Sequence, residues 1–293
     1  MLNTKKFSTR LSAILVSMVI LLVAVFSLSS SQKVEAGDFT LRYNAHDART
    51  GAYLRTYSLT VEGNNSRAIV NGDDREVDYS KNGVVKIITN YGLCSGFVVD
   101  EHTIATAAHC VYNQAITSIL LFDKNGNNNM TITNPVEYHF PCKYAENPAE
   151  RHLYDYALIT VKQSLEDYEC FNFGMMIESY ADSETNVVYS AGFPGIVRGN
   201  VVNDYTTHAL YKGTGNVNSF NKGNSGNIEY IYFTADMTPG DSGGPIYVTE
   251  GVGDKLYHTV VGIQVNTSDY HGMADAMSPH LLKFLKGNTN KNY

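Results

Sequence analysis

Three short segments carry the residue types that could do covalent chemistry. The first is Gly240-Asp241-Ser242-Gly243-Gly244-Pro245. A serine hydroxyl is a poor nucleophile until a base removes its proton and N–H groups receive the developing negative charge. Glycines on both sides let the backbone turn tightly, so that the hydroxyl and the neighbouring N–H groups face one point. The second segment is Thr106-Ala107-Ala108-His109-Cys110, where small residues allow a histidine to pack closely against a loop. The third is Tyr154-Asp155-Tyr156-Ala157-Leu158-Ile159, an acid just ahead of an apolar strand. A buried aspartate beside a histidine holds the imidazole in the tautomer that accepts a proton and stabilises the imidazolium. Each segment alone has a plain reading: a glycine-rich turn, a half-buried histidine and a surface aspartate at a strand start.

The G-x-S-x-G pattern also fits the nucleophile elbow of α/β-hydrolases. An elbow leads into a helix, yet Pro245-Ile246-Tyr247-Val248 reads as a strand. Hydrolase order would put the base at His258, His271 or His280, and none of these has a supporting context. The order His109, Asp155, Ser242 instead resembles the chymotrypsin-like serine peptidases. So do the separations of 46 and 87 positions, long enough for one β-barrel and most of another. The resemblance runs from about Ile69 to the C-terminus. It implies His109 as general base and acid, Asp155 as its orienter and Ser242 as nucleophile, with the N–H groups of Gly240 and Ser242 as oxyanion hole. It also implies peptide substrates, no cofactor and no metal. The fold it implies is all-β: two antiparallel Greek-key β-barrels, roughly 69–175 and 176–293, with the site between them.

Within that class, Ala68-Ile69-Val70-Asn71-Gly72-Asp73-Asp74-Arg75 looks like the mature start of V8-like glutamyl endopeptidases. It is also similar to the Ile-Val-x-Gly start of animal trypsin-like enzymes. In both groups a freed α-amine completes the site, so Ile69 and Asp241 become the activation residues expected after cleavage at Arg67 or Ala68. V8-like enzymes often carry an amide where Asp241 stands. Substrate-binding positions implied by the resemblance are Asp236, Met237, Gln264, Val265 and Asn266. Glutamyl endopeptidases usually have histidine in place of Gln264 and a small hydroxyl residue in place of Met237. Asp236 stands where trypsin-like enzymes put the carboxylate that pairs with a basic side chain. Basic and acidic preference both stay open.

The elements that must position these residues are short runs of Val, Ile, Tyr and Thr bounded by Gly or Asn. They cover 84–89, 96–99, 116–122, 156–161, 186–191, 228–234, 245–248 and 258–265. One helix is expected from Pro279 to Leu285, with Ser278 as its cap and proline at its first position. Asp123-Lys124-Asn125-Gly126-Asn127 resembles the opening of a calcium loop, but Asn134 stands where the closing acid is needed. A hairpin turn at Asn125-Gly126 is the better reading.

Lys5, Lys6 and Arg10 followed by a largely apolar run and by Val34-Glu35-Ala36 read as a signal peptide over 1–36. An uncleaved anchor is the competing reading, since the run is long for a signal. Either one places the remainder outside the cytoplasm; the expectation is a secreted, extracellular protein without stable membrane association. Residues 37–68 read as a pro-segment, with a breaker cluster at Gly63-Asn64-Asn65-Ser66. Four cysteines suit an oxidising compartment and allow three pairings. Cys110 is placed to staple the His109 loop to Cys94, one strand upstream, which leaves Cys142 for Cys170. No metal-ligand spacing occurs. A net charge of -7 without basic runs argues against nucleic acid, and a monomer is expected. The alternative from another class is a non-catalytic binding or adhesion module on the same fold, which would need none of His109, Asp155 and Ser242.

Overall fold

The computed structural model describes residues 73–289 except 136, 182–185, 198–199, 202–208, 253–254 and 268–271. Before them it describes the strands Leu41–His46 and Tyr53–Leu59. All of these fall in one compact unit, Phe39–Tyr293. The signal segment, the breaker cluster and Ile69 lie outside the described residues.

Two sheets account for nearly all the strands. The first runs in the order Glu137–Pro141, Ala157–Thr160, Thr103–Thr106, Leu93–Asp100, Val84–Thr89, Ile116–Phe122, Asn128–Ile132, with every neighbour antiparallel. The hairpin of Leu41–His46 and Tyr53–Leu59 extends it, Leu41–His46 lying parallel to Glu137–Pro141. The second sheet closes on itself. Lys255–Thr267 pairs with Pro245–Val252, then follow Val187–Gly192, Tyr211–Lys222, Ile228–Phe233 and Gly272–Ala276, which returns to Lys255–Thr267. Closure removes the free edges that a flat sheet would expose. The halves exchange their ends: Glu76–Val77 pairs with Tyr211–Lys222, and Asn172–Phe173 joins Lys255–Thr267 in parallel.

Composition explains why some strands are plain in the sequence and others are not. Val84–Thr89 is buried at all but one position, so it reads as an unbroken β-branched run. Tyr211–Lys222, with two glycines and three asparagines, reads as turns. It is largely exposed, and its backbone is held from both sides by Val187–Gly192 and Ile228–Phe233, so pairing overrides composition. The Asn125-Gly126 turn joins Ile116–Phe122 to Asn128–Ile132, with Gly126 at φ 83°. The Asp123 carboxylate accepts from the N–H groups of Asn125 and Asn127 and from the Asn127 amide, so its oxygens serve the turn.

The C-terminal helix spans Pro279–Asn288, three residues longer than its sequence signal, and the Ser278 hydroxyl accepts from the Leu281 N–H at 3.3 Å. Leu281, Phe284 and Leu285 are buried. The Phe284 ring meets Tyr156 edge-on with centroids 5.1 Å apart, so the helix braces the chain next to Asp155. Among the described residues no helix is long and apolar enough to cross a membrane.

Cys94 and Cys110 are joined by a disulfide. The expected second bridge is not formed: neither Cys142, which is buried, nor Cys170, which is exposed, is in a disulfide. Topology gives the reason. Cys142 follows Glu137–Pro141, whereas Cys170 sits beside Leu93–Asp100, its thiol 2.9 Å from the Val99 carbonyl. Those strands are three places apart in the sheet. At about 4.8 Å per place this is beyond the roughly 7 Å between Cα atoms that a disulfide tolerates. Thiol titration should find two reactive thiols per unfolded chain and one, Cys170, in the folded protein. A count of zero after unfolding without reductant would restore the second bridge. Ser278→Ala should cost about 1 kcal/mol in urea unfolding.

Candidate active site

His109 is set by a short 3-10 turn, Ala108–Cys110, at the end of Thr103–Thr106. Asp155 directly precedes the segment that becomes Ala157–Thr160, the neighbour of Thr103–Thr106 in the sheet. Strand pairing therefore brings the two residues together. Asp155 Oδ1 accepts from the His109 backbone N–H at 2.8 Å, and Oδ2 lies 2.8 Å from His109 Nδ1. Both carboxylate oxygens are committed to one residue, which fixes the ring and leaves Nε2 as the nitrogen open to other partners. The Gln114 amide donates to the His109 carbonyl at 2.8 Å and holds the turn from its far side. Burial alone would pull the imidazole pKa down; the Asp155 charge and hydrogen bond outweigh it and hold it above 6.5.

The Ser242 loop comes from the second sheet but is seated on the first. Ser95, beside Cys94 on Leu93–Asp100, donates its N–H to the Ser242 carbonyl at 2.8 Å. Its hydroxyl donates to the Gly240 carbonyl and accepts from the Phe193 N–H, both at 2.8 Å. Cys110 Sγ is 3.5 Å from the Ser242 carbonyl oxygen, and the disulfide sulfurs lie within 4.8 Å of a His109 ring nitrogen. Two glycines are obligatory. Gly240 has φ 105°, and a Cβ there would meet the Phe193 carbonyl at 2.5 Å. Gly243 has φ 85°, and its Cβ would run into the Thr106 hydroxyl and the Ser95 carbonyl. Among the described residues the N–H groups of Gly240 and Ser242 meet no acceptor, whereas those of Asp241, Gly243 and Gly244 do.

Asp241 is buried and its carboxylate is already engaged. Oδ2 lies 2.7 Å from Arg75 Nη1 and 2.9 Å from the Thr238 N–H. Burial raises the carboxyl to about 6, with Arg75 and Thr238 acting against that rise. Of the other anticipated positions, Asp236 is buried and accepts from the Asp74 N–H at 3.2 Å, so its carboxylate faces the 73–75 segment. Met237 is buried within the apolar interior of the closed sheet. Gln264 is fully buried; its amide nitrogen donates to the Ala191 carbonyl at 3.1 Å, and its Oε1 has no partner among the described residues. A bulge between Gln264 and Asn266 re-aims Val265, which is buried, while Asn266 is exposed.

Two residues at the site are not among the positions the sequence singles out. Arg75 closes the Asp73-Asp74-Arg75 triplet and reaches Asp241 across 166 positions. Asp275, a lone acid within Met273-Ala274-Asp275-Ala276-Met277, is buried, and neither of its oxygens has a partner among the described residues. Burial, and then the charge of nearby Asp155, push its carboxyl well above the ordinary range. An isolated acid inside an apolar run was the available signal.

A family model described as Trypsin matches residues 69–274. No curated protein matches the sequence. Several solved structures are similar in fold. A Glu endopeptidase determined in complex with MPD is 16% identical with a TM-score of 0.59, covering 75% of this chain and 98% of its own. Neuropsin from mouse brain, a serine protease, is 19% identical with a TM-score of 0.55, covering 74% and 99%. An inactivated protease paralogue of the scabies mite is 15% identical with a TM-score of 0.51, covering 72% and 96%. Because the last of these shares the fold, fold alone does not decide whether a chain is catalytic.

The electrostatics of the His109–Asp155 pair give a direct check. In Asp155→Asn the two influences that raise the imidazole are lost and burial remains, so the His109 pKa should fall below 6.5 in an NMR titration. An unchanged value would mean that Asp155 does not govern the ring.

Proposed function

We propose that this chain, which belongs to the trypsin family of serine peptidases, hydrolyses peptide bonds as a secreted endopeptidase through Ser242, His109 and Asp155. Two hydrogen bonds from His109 to the Asp155 carboxylate, next to the seat of Ser242, are the observation that carries the reading. A non-catalytic module on this fold would have no use for that geometry.

In the proposed mechanism His109 Nε2 takes the Ser242 hydroxyl proton as the oxygen attacks the substrate carbonyl. The resulting oxyanion is received by the Gly240 and Ser242 N–H groups, whose charge stabilisation is worth about 3 kcal/mol per donor in such sites. His109 then passes its proton to the leaving amine, and an acyl-enzyme remains on Ser242. Water, deprotonated by the same imidazole, releases the acid product and restores the serine. Asp155 keeps Nδ1 protonated throughout and stabilises the imidazolium. The protein is made as a zymogen, with residues 1–36 as leader and 37–68 as pro-segment. Extended peptides add to the strand around Gln264, Val265 and Asn266 by backbone pairing.

An organophosphonate probe should label the folded, processed protein at Ser242, and Ser242→Ala should abolish labelling and lower kcat by roughly 10⁶-fold. A processed wild-type protein that resists the probe and cleaves no peptide would overturn the reading. In a peptide library, cleavage after Arg would support Asp236 as the floor of the substrate pocket, and cleavage after Glu would exclude that role.

A further inference from the structure

A buried cation sits where the precursor was expected to have none. Arg75 is 1% exposed and Asp241 is 3% exposed. Nη1 donates to Asp241 Oδ2 at 2.7 Å and to the Thr238 hydroxyl at 3.2 Å. Nη2 donates to the Ile196 carbonyl at 2.7 Å, and both Nε and Nη2 are paired with the Asp73 carboxylate at 2.9 and 2.8 Å. The guanidinium is thus held in a fixed plane, which a bidentate cation achieves and an ammonium does not. On the other side, the Asp241 carboxylate is pinned by the Thr238 N–H and packed against Gly192, where a Cβ would lie 2.6 Å from Asp241 Oδ1. The backbone from Thr238 to Ser242 cannot swing without breaking a buried ion pair and leaving its charges uncompensated.

We propose that Arg75 is the positioning residue for the Ser242 loop, supplying from within the chain the positive charge on Asp241 that a freed α-amine at residue 69 was expected to supply. Cleavage before Ile69 then alters what precedes the peptidase unit but not the charge beside the nucleophile. The functional half of this inference rests on the endopeptidase reading; the pairing itself does not. The charged groups facing Asp241 are Arg75 and Asp73, with Asp236 acting on Arg75. Two carboxylates besides Asp241 therefore bear on one guanidinium, which strengthens the demand for a permanent cation there.

The test compares four forms of the protein: the processed wild type, a form carrying one extra residue before Ile69, Arg75→Gln and Arg75→Lys. Hydrogen exchange of the 238–244 amides is the readout that holds even if the protein cleaves nothing. Protection should be the same in wild type and in the extended form, and should drop at least tenfold in Arg75→Gln, with a smaller drop in Arg75→Lys. Peptidase activity should follow, with kcat about 10²–10³-fold lower in Arg75→Gln and KM within a few-fold. Loss of protection in the extended form, or unchanged protection in Arg75→Gln, would overturn the proposal. If Arg75→Gln fails to fold, Asp241→Asn serves in its place, because it removes the same ion pair while keeping an acceptor for the Thr238 N–H. Unchanged exchange there would equally refute it. A wild type with a protected loop but no phosphonate labelling would count against the endopeptidase reading and not against the ion pair.

Discussion

The site depends on a loop of one sheet being held by the backbone of another. Ser95 makes that connection with its N–H and its hydroxyl: the N–H binds Ser242 and the hydroxyl binds Gly240 and Phe193, while its carbonyl accepts from Thr106 of the neighbouring strand at 2.7 Å. A backbone approach this close leaves no space for side chains, which is why Gly240 and Gly243 are required rather than preferred. The same strand carries Cys94, and the disulfide leads to Cys110 and so to His109. The Ser242 loop and the His109 imidazole therefore share one support, a single strand and a single covalent link.

Around that support the protein manages three buried acids in different ways. Asp155 accepts from His109 at both of its oxygens. Asp241 has a guanidinium and an N–H. Asp275 has no cation in contact among the described residues, and burial with the charge of Asp155 drives its carboxyl well above the ordinary range. The differences follow from local partners rather than from residue type, since all three are excluded from water and would otherwise carry the same penalty.

Much of this arrangement is legible in the sequence, and the rest is hidden for definable reasons. Val84–Thr89 and Ile116–Phe122 are recognisable to the residue because burial on both faces demands β-branched side chains. The order of His109, Asp155 and Ser242 is legible because each stands in a short segment of constrained composition. Tyr211–Lys222 is not, since its strand character comes from neighbours far along the chain. Arg75 belongs to the same class of invisible feature: nothing in an Asp-Asp-Arg triplet reveals a partner that only folding brings near. Cys142 and Cys170 mislead for the opposite reason, as an even count suggests pairing that sheet order forbids.

The bond between Cys94 and Cys110 has a thermodynamic side beyond holding two loops together. It closes a loop with a sequence separation of 16. In the chain-entropy picture a ring of that size removes about 3 kcal/mol worth of freedom from the unfolded chain. Most of that ring is the two strands Leu93–Asp100 and Thr103–Thr106 and the turn between them, the stretch that carries both Ser95 and His109. Reduction would therefore lower the stability of the whole fold by about that amount while removing the covalent tie between the Ser95 strand and the His109 turn. The protein's tolerance of a reducing environment is thereby tied to the same covalent link that anchors the turn carrying His109.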